Sequence, residues 1–391
     1  MPTCVMKKSL LIFFSILSVV SCLDRLNIPI PSEYSQDLVV DGQITDEQGP
    51  YIVKLTRLIK IDGQQIVGSP TSAKKVTIFD DFGNLEVLEQ KDAGIYQTKL
   101  GGIRGVIGRE YHVRIEMNDG KIFESLPDRM NPVGELDSLY YEFVSTQPVD
   151  APTEYGYKIY VDAQGVPNTD YYLRWKFTGT YVIETKPQYY KVSGCPPCGC
   201  PAPLPCSGYA FVDGVLTLGW TFDLAKQIAI FVPGLKCECC RCWVTQHEEA
   251  LKVKGHQINS SGKIPKLKVA YIPINFYTFF ERYRVEIKQM SLSKAAYDYW
   301  ISIQYQKEAV GSLFQPITGK IQTNIFEINK SSGVQGIFYA SAVKKKQLYL
   351  DKRTHKVDIQ VPVNCDGRIG AAGVSCLTFP GSTTLQPEDW N

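Results

Sequence analysis

The cysteines are the side chains of this sequence that could do the most chemistry. There are 12 in 391 residues. Cys195, Cys198, Cys200 and Cys206 form one cluster, Cys237, Cys239, Cys240 and Cys242 a second, and Cys365 and Cys376 stand in the tail. Thiolates at the spacing of Cys195-x-x-Cys198, facing a second cluster, can wrap a tetrahedral zinc ion. In an oxidising compartment the same residues form disulfides instead. The choice turns on where the chain works, and Cys22 bears on that. It closes the run Val19-Val20-Ser21-Cys22 behind Lys7, Lys8 and the apolar stretch Leu10 to Val20. This order of charged, apolar and small residues is that of a bacterial lipoprotein leader.

Residues 1–21 are therefore expected to be a signal peptide, with the mature chain beginning at a lipid-bearing Cys22. Acyl chains bury methylenes at ~0.8 kcal/mol each, so such an anchor is effectively permanent. Export favours disulfides over a metal, and ten cysteines remain once Cys4 leaves and Cys22 is acylated. Neighbouring Cys239 and Cys240 can hardly bridge each other. The expected arrangement is two Pro- and Gly-rich loops, from Cys195 to Cys206 and from Cys237 to Cys242, stapled together. Each bridge adds ~2–4 kcal/mol by restricting the unfolded chain. Spacing leaves their connectivity open.

Without Lys7 and Lys8, 40 basic residues face 40 acidic ones. That balance argues against a nucleic-acid partner. No Gly-x-Ser-x-Gly elbow, Walker loop, EF-hand loop or His-Glu-x-x-His occurs. Of the four histidines, His247 in His247-Glu248-Glu249 is the one placed to meet a metal, and the plain reading is a solvated loop. Gly102-x-x-Gly105-x-x-Gly108 leads into a strand pattern, not a helix, so it reads as a strand connection and not a dinucleotide loop. The expectation is a protein that is not an enzyme, with no cofactor.

Residues 22–36 read as a mobile tether. From 37 to 145 short alternating runs recur between turn signals: Tyr51, Val53 and Leu55 face one way, as do Tyr111, Val113, Ile115 and Met117. Period two over seven residues makes a half-buried strand, and about seven such runs without a helix predict an Ig-like β-sandwich. Pro148 to Pro152 then separates a larger β-rich domain, 146–391, with aromatic strands and Cys-stapled loops. Its main helix is predicted over 294–308, with Ser293 as N-cap and Gly311 beyond its end. The fold class is thus mainly β. Trp175, Tyr181, Tyr299 and Trp300 are the candidate ligand or partner surface, although aromatics so placed more often anchor a core.

Ser291-Leu292-Ser293-Lys294-Ala295-Ala296-Tyr297-Asp298-Tyr299-Trp300, then Gly311-Ser312-Leu313-Phe314-Gln315-Pro316, then Gly336-Ile337-Phe338-Tyr339-Ala340-Ser341 resemble the motif series of Bacteroidota lipoproteins grouped as domain-of-unknown-function family 4249. Leu38 to Ile44, Tyr51 to Thr56, Cys242-Trp243, and the tail from Cys365 through Pro387 to Trp390 fit as well. In the tail, Cys376 lies farther from Cys365 than the resemblance implies. The family carries no established activity. What the resemblance implies is an outer-membrane lipoprotein, facing the cell surface and often encoded near TonB-dependent transporters, which makes such a transporter the candidate partner. A binding or accessory subunit of that transporter is the leading expectation, and a structural or assembly scaffold the alternative.

Overall fold

The computed structural model describes residues 38–388 and 390, except 62–64, 168, 195, 197, 224, 226–227, 249, 257–261, 310–320, 329–332, 365–366, 368–369 and 371–372. The leader, Cys22, the tether, Cys195, Cys365 and the motif beginning at Gly311 lie outside the described residues. The main strands, in chain order, are β1 (Leu38–Thr45), β2 (Ile52–Ile61), β3 (Ala73–Asp80), β4 (Glu110–Met117), β5 (Glu135–Thr146), β6 (Glu154–Gln164), β7 (Tyr171–Glu184), β8 (Arg241–His247), β9 (Lys252–His256), β10 (Lys263–Pro273), β11 (Tyr283–Ser291), β12 (Val334–Ser341) and β13 (Val343–Leu350). The helix α1 spans Lys294–Ala309.

The alternating runs become strands because a period of two puts every second side chain on the same face. In β4, Tyr111, Val113, Ile115 and Met117 are buried while the intervening residues stay half-exposed. β1 and β2 pair antiparallel in one six-stranded sheet, and β3 and β4 pair in another. Val40, Val53 and Leu55 from the first meet Val76, Ile78, Val113 and Ile115 from the second in one cluster, every one of them inaccessible to water. At ~25 cal/mol per Å² of apolar surface, that burial is the main force holding the two sheets together. The chain is mainly β and sandwich-forming, as its periodicity predicts.

Both sheets are completed from far along the chain, which the sequence reading did not foresee. Residues 336–343 read as part of the second domain's sheet. Instead β12 runs parallel to β1 along its whole length, Leu38 beside Val334 and Thr45 beside Ser341. The short strand Ile325–Glu327 pairs with Ile122–Ser125 on the other sheet. Gly336 makes the parallel contact possible: its φ is +97°, and a Cβ there would lie 1.9 Å from the Val40 carbonyl oxygen. Only glycine combines that φ with so close an approach.

β5, which falls inside the sandwich in the sequence reading, pairs with β6 from Glu135 to Thr146, so the Pro148 to Pro152 segment connects two strands of a single sheet. β10 completes that three-stranded sheet. In the remaining large sheet β11 lies between β13 and β7, and β8 and β9 both pair with β7. One hydrophobic cluster runs from Leu38 through Tyr157, Trp175 and Tyr283 to Cys376, so the core is continuous across residue 145.

Several polar groups buried along that seam are paired, as low-dielectric surroundings favour. Trp175 Nε1 donates to Gln289 Oε1 at 2.9 Å, and Gln289 Nε2 donates to the carbonyls of Val133 and Glu135, both at 3.1 Å. Ser291 Oγ donates to Asn131 O at 2.6 Å. Ser293 caps α1 by accepting from the Ala296 amide at 3.1 Å. The helix packs Ala296, with Tyr299 and Trp300 beside it, against Met290, Ile337 and Tyr339. Among the described residues no helix is long and apolar enough to cross a membrane.

Candidate functional site

β7 is the strand on which the candidate site is built. Fourteen residues long, it alternates charged and aromatic side chains through its middle: Arg174, Lys176 and Thr178 point to one side, Trp175, Phe177 and Tyr181 to the other. β8 pairs with β7 from Thr178 to Glu184 and β9 from Tyr171 to Trp175. Lys176 and Phe177 fall between these two pairings. A cleft opens on each face of β7 here, and His247 lines both.

The polar cleft, about 530 Å³, lies between β1 and β2 of the sandwich and the large sheet. Arg174 is buried at its base. Its guanidinium donates to Glu248 Oε1 at 2.8 Å and to the Tyr339 hydroxyl at 3.4 Å, and sits 3.8 Å above the Trp300 ring. Tyr339 donates in turn to Gln43 Oε1 at 2.7 Å, and burial pushes its pKa up to about 12, so it stays a donor at any physiological pH. Lys288 pairs with Glu47 at 2.6 Å. Lys176 stands directly across from Lys288 in the sheet register. Burial first, then the neighbouring Arg174, holds its ammonium below the ordinary lysine range.

The second cleft, about 720 Å³, is largely apolar and is lined by Phe177, Tyr181, Tyr271, Tyr283 and Phe379. Tyr181 and Tyr283 stack with centroids 5.5 Å apart, and Tyr283 donates to Gln246 Oε1 at 2.9 Å. Gly179 makes room for this: a Cβ there would meet the Tyr283 hydroxyl at 1.9 Å. Stacked aromatic faces beside side-chain amides suit a ligand with flat or apolar surfaces and a few hydroxyls.

The four aromatic residues singled out from sequence do not make one surface. Tyr181 lines the apolar cleft and Trp300 the polar one. Trp175 is a core anchor, 2% exposed and bonded to Gln289. Tyr299 packs within the helix cluster, where burial raises its pKa to about 12. Arg174, Lys176 and Lys288 were missed. Their signal was present as a charged side alternating with aromatics in a strand otherwise buried on both faces.

The described cysteines are all oxidised. Cys206 bonds Cys239, Cys237 bonds Cys240, Cys242 bonds Cys376, and Cys198 and Cys200 are each disulfide-bonded. Cys206–Cys239 staples the two loops as expected. Cys376, whose partner the sequence left open, ties the tail to β8, beside which the tail strand Ser382–Thr383 also pairs. Bonded sulfurs offer no thiolate to zinc, and the described residues contain no cluster of three His, Cys, Asp or Glu that could hold a metal ion. Glu248 beside His247 is taken up by Arg174.

The stapled loops carry an arm of two hairpins, Tyr209–Val212 with Val215–Leu218 and Trp220–Asp223 with Ile228–Phe231. Phe211, Val215, Leu218, Ile228 and Phe231 are exposed on it. Between residues 187 and 240 the charged residues are Lys191, Asp213, Asp223, Lys226, Lys236 and Glu238 alone. Few charges and several exposed aromatic and aliphatic side chains are the composition of a protein-contact surface.

Among known proteins, no curated sequence matches the chain. The solved structure of trypsin-activated alpha-2-macroglobulin from Escherichia coli is similar at 12% identity over 67% of this chain, which spans 15% of that protein, with a TM-score of 0.15, from which no shared fold follows. The sequence model of one family, described as Domain of unknown function (DUF4249), matches residues 24–347. With the match extending from just before β1 into β13, this chain belongs to the family of domain of unknown function 4249.

Proposed function

We propose that the protein is a non-enzymatic binding subunit, anchored to the outer membrane through acylated Cys22 and working beside a TonB-dependent transporter at the cell surface. The observation that carries this reading is the pair of clefts on the two faces of β7. Each is concave and large enough for a small oligomer, and together they present aromatic faces and fixed donors. Arg174, Lys288 and Tyr339 in the polar cleft and Tyr181 and Tyr283 in the apolar one are held by ion pairs, hydrogen bonds and stacking, so much of each wall keeps its shape, which suits recognition and release. The arm supplies the contact surface toward the transporter.

The exposed apolar residues of the arm also favour a second reading, in which the protein braces an envelope complex and binds no ligand. One experiment separates the two. The tagged native protein is extracted from its own outer membrane in mild detergent, and partners recovered in stoichiometric amount are identified by mass spectrometry. A TonB-dependent transporter as the main partner supports the binding role. Recovery with envelope assembly factors supports the scaffold, and recovery from the cytoplasm with reduced cysteines overturns both.

A further inference from the structure

The polar cleft holds a charge arrangement that the fold alone does not require. Three cations, Arg174, Lys176 and Lys288, share one face of β7 and β11, with Lys176 and Lys288 directly opposite each other in the register. Like charges in that position destabilise a strand pair. Two of the three are answered from within the protein, Arg174 by Glu248 and Lys288 by Glu47. Lys176 is not: among the described residues its ammonium has no hydrogen-bond or ion-pair partner, although the charges of Glu248 and Asp41 favour its charged form and Asp41 and Glu286 line the same cleft. Lys176 is half-buried, so its ammonium is partly withdrawn from water with no partner in return, a cost that a methionine of similar length would avoid. The cation stands inside a cleft of about 530 Å³ whose walls carry Trp300 and the hydroxyl of Tyr339.

We infer that the polar cleft takes a ligand bearing a carboxylate, which docks on Lys176 between Arg174 and Lys288 while the rest of the ligand lies along the Trp300 side of the cleft. The inference rests on the binding-subunit reading and names its ligand chemistry. Two sources offer such a group at this size, an acidic sugar and the C-terminus of a short peptide.

Both can be tested on the purified soluble chain by isothermal titration. The probes are a uronic-acid disaccharide with its neutral counterpart, and trialanine with its C-terminal amide. Wild-type protein is expected to bind at least one acid and to bind its neutral counterpart at least about tenfold more weakly. Lys176→Met should lower affinity for the acid at least about tenfold, Lys176→Arg should restore most of it, and Lys75→Met on the sandwich surface should change nothing. An unchanged thermal midpoint shows that Lys176→Met still folds. Which acid binds identifies the source. The inference is overturned if the acid binds Lys176→Met as tightly as wild type, or if neither acid binds at about 10 mM. Should a neutral probe bind wild type and Lys176→Met alike but lose affinity in Tyr181→Ala, the carboxylate inference falls while the binding-subunit reading stands.

Discussion

The sandwich strands from Leu38 to Ser125 and the arm hairpins from Tyr209 to Phe231 are both mainly antiparallel β-structure, yet they keep their shape by different means. In the sandwich, Val40, Val53, Val76, Ile78, Val113 and Ile115 are wholly buried and close-packed. In the arm, Phe211, Val215, Leu218, Ile228 and Phe231 face solvent, and Ala210 is a rare buried residue. Two-stranded hairpins without a shared core are marginal on their own. Cys206–Cys239 and Cys237–Cys240 supply at the base of the arm what burial supplies in the sandwich. The lesson is that a chain can keep an apolar surface exposed when covalent links, and not burial of that surface, hold it in place.

Three changes probe this difference. The largest effect is expected where a cross-link joins the two regimes. Cys242–Cys376 closes a loop of 134 residues and ties the tail to the main sheet. Replacing both with alanine should cost about 5 kcal/mol in the chain-entropy picture, read as a lower midpoint in urea unfolding. A loss below about 1 kcal/mol would mean that packing of the tail, and not the link, holds it.

The second change lies where burial rules. Asp128 is 4% exposed, accepts from the Ala340 amide at 2.8 Å, and is bonded by Ser293, so it joins β12 and α1 to the sandwich. Burial raises its pKa to about 6, from 3.8. The folded protein therefore favours the protonated form. The resulting stability is fully present below pH 3.8, fades as pH rises, and is gone above about pH 6, a swing on the order of 3 kcal/mol. Asp128→Asn should keep the Ala340 hydrogen bond and flatten that part of the stability profile between pH 4 and 6. An unchanged slope in that window would remove Asp128 as its source.

The smallest change falls on the arm. Phe231→Ser removes an exposed ring that meets Trp220 at 5.6 Å, and should shift the unfolding midpoint by less than about 0.5 kcal/mol. The same variant should lower recovery of the transporter from detergent extracts. A large loss of stability instead would place Phe231 in a core and undo the contrast with the sandwich.

How much of this was legible beforehand differs by residue. The strand around Tyr111 to Met117 was readable because its alternation needs only its own neighbours, and the cap at Ser293 because capping is local. The place of β12 was not, because Gly336 to Ser341 fit any buried strand and only the glycine's approach to Val40 selects the parallel partner. The candidate site was half legible: Trp300 and Tyr181 were found as aromatics, while Lys176 looked like one charge among many until the register set it opposite Lys288.

The sequence by itself determined the β character, the helix at Lys294, the pairing chemistry of the cysteines and the family, since each depends on residue types at short spacing. Tertiary structure alone decided which cysteine bonds which, how residues 325–341 close the sandwich, and where the clefts open. Those outcomes depend on distances between residues up to about three hundred positions apart, and side-chain patterns within one strand carry no record of which distant strand lies beside it.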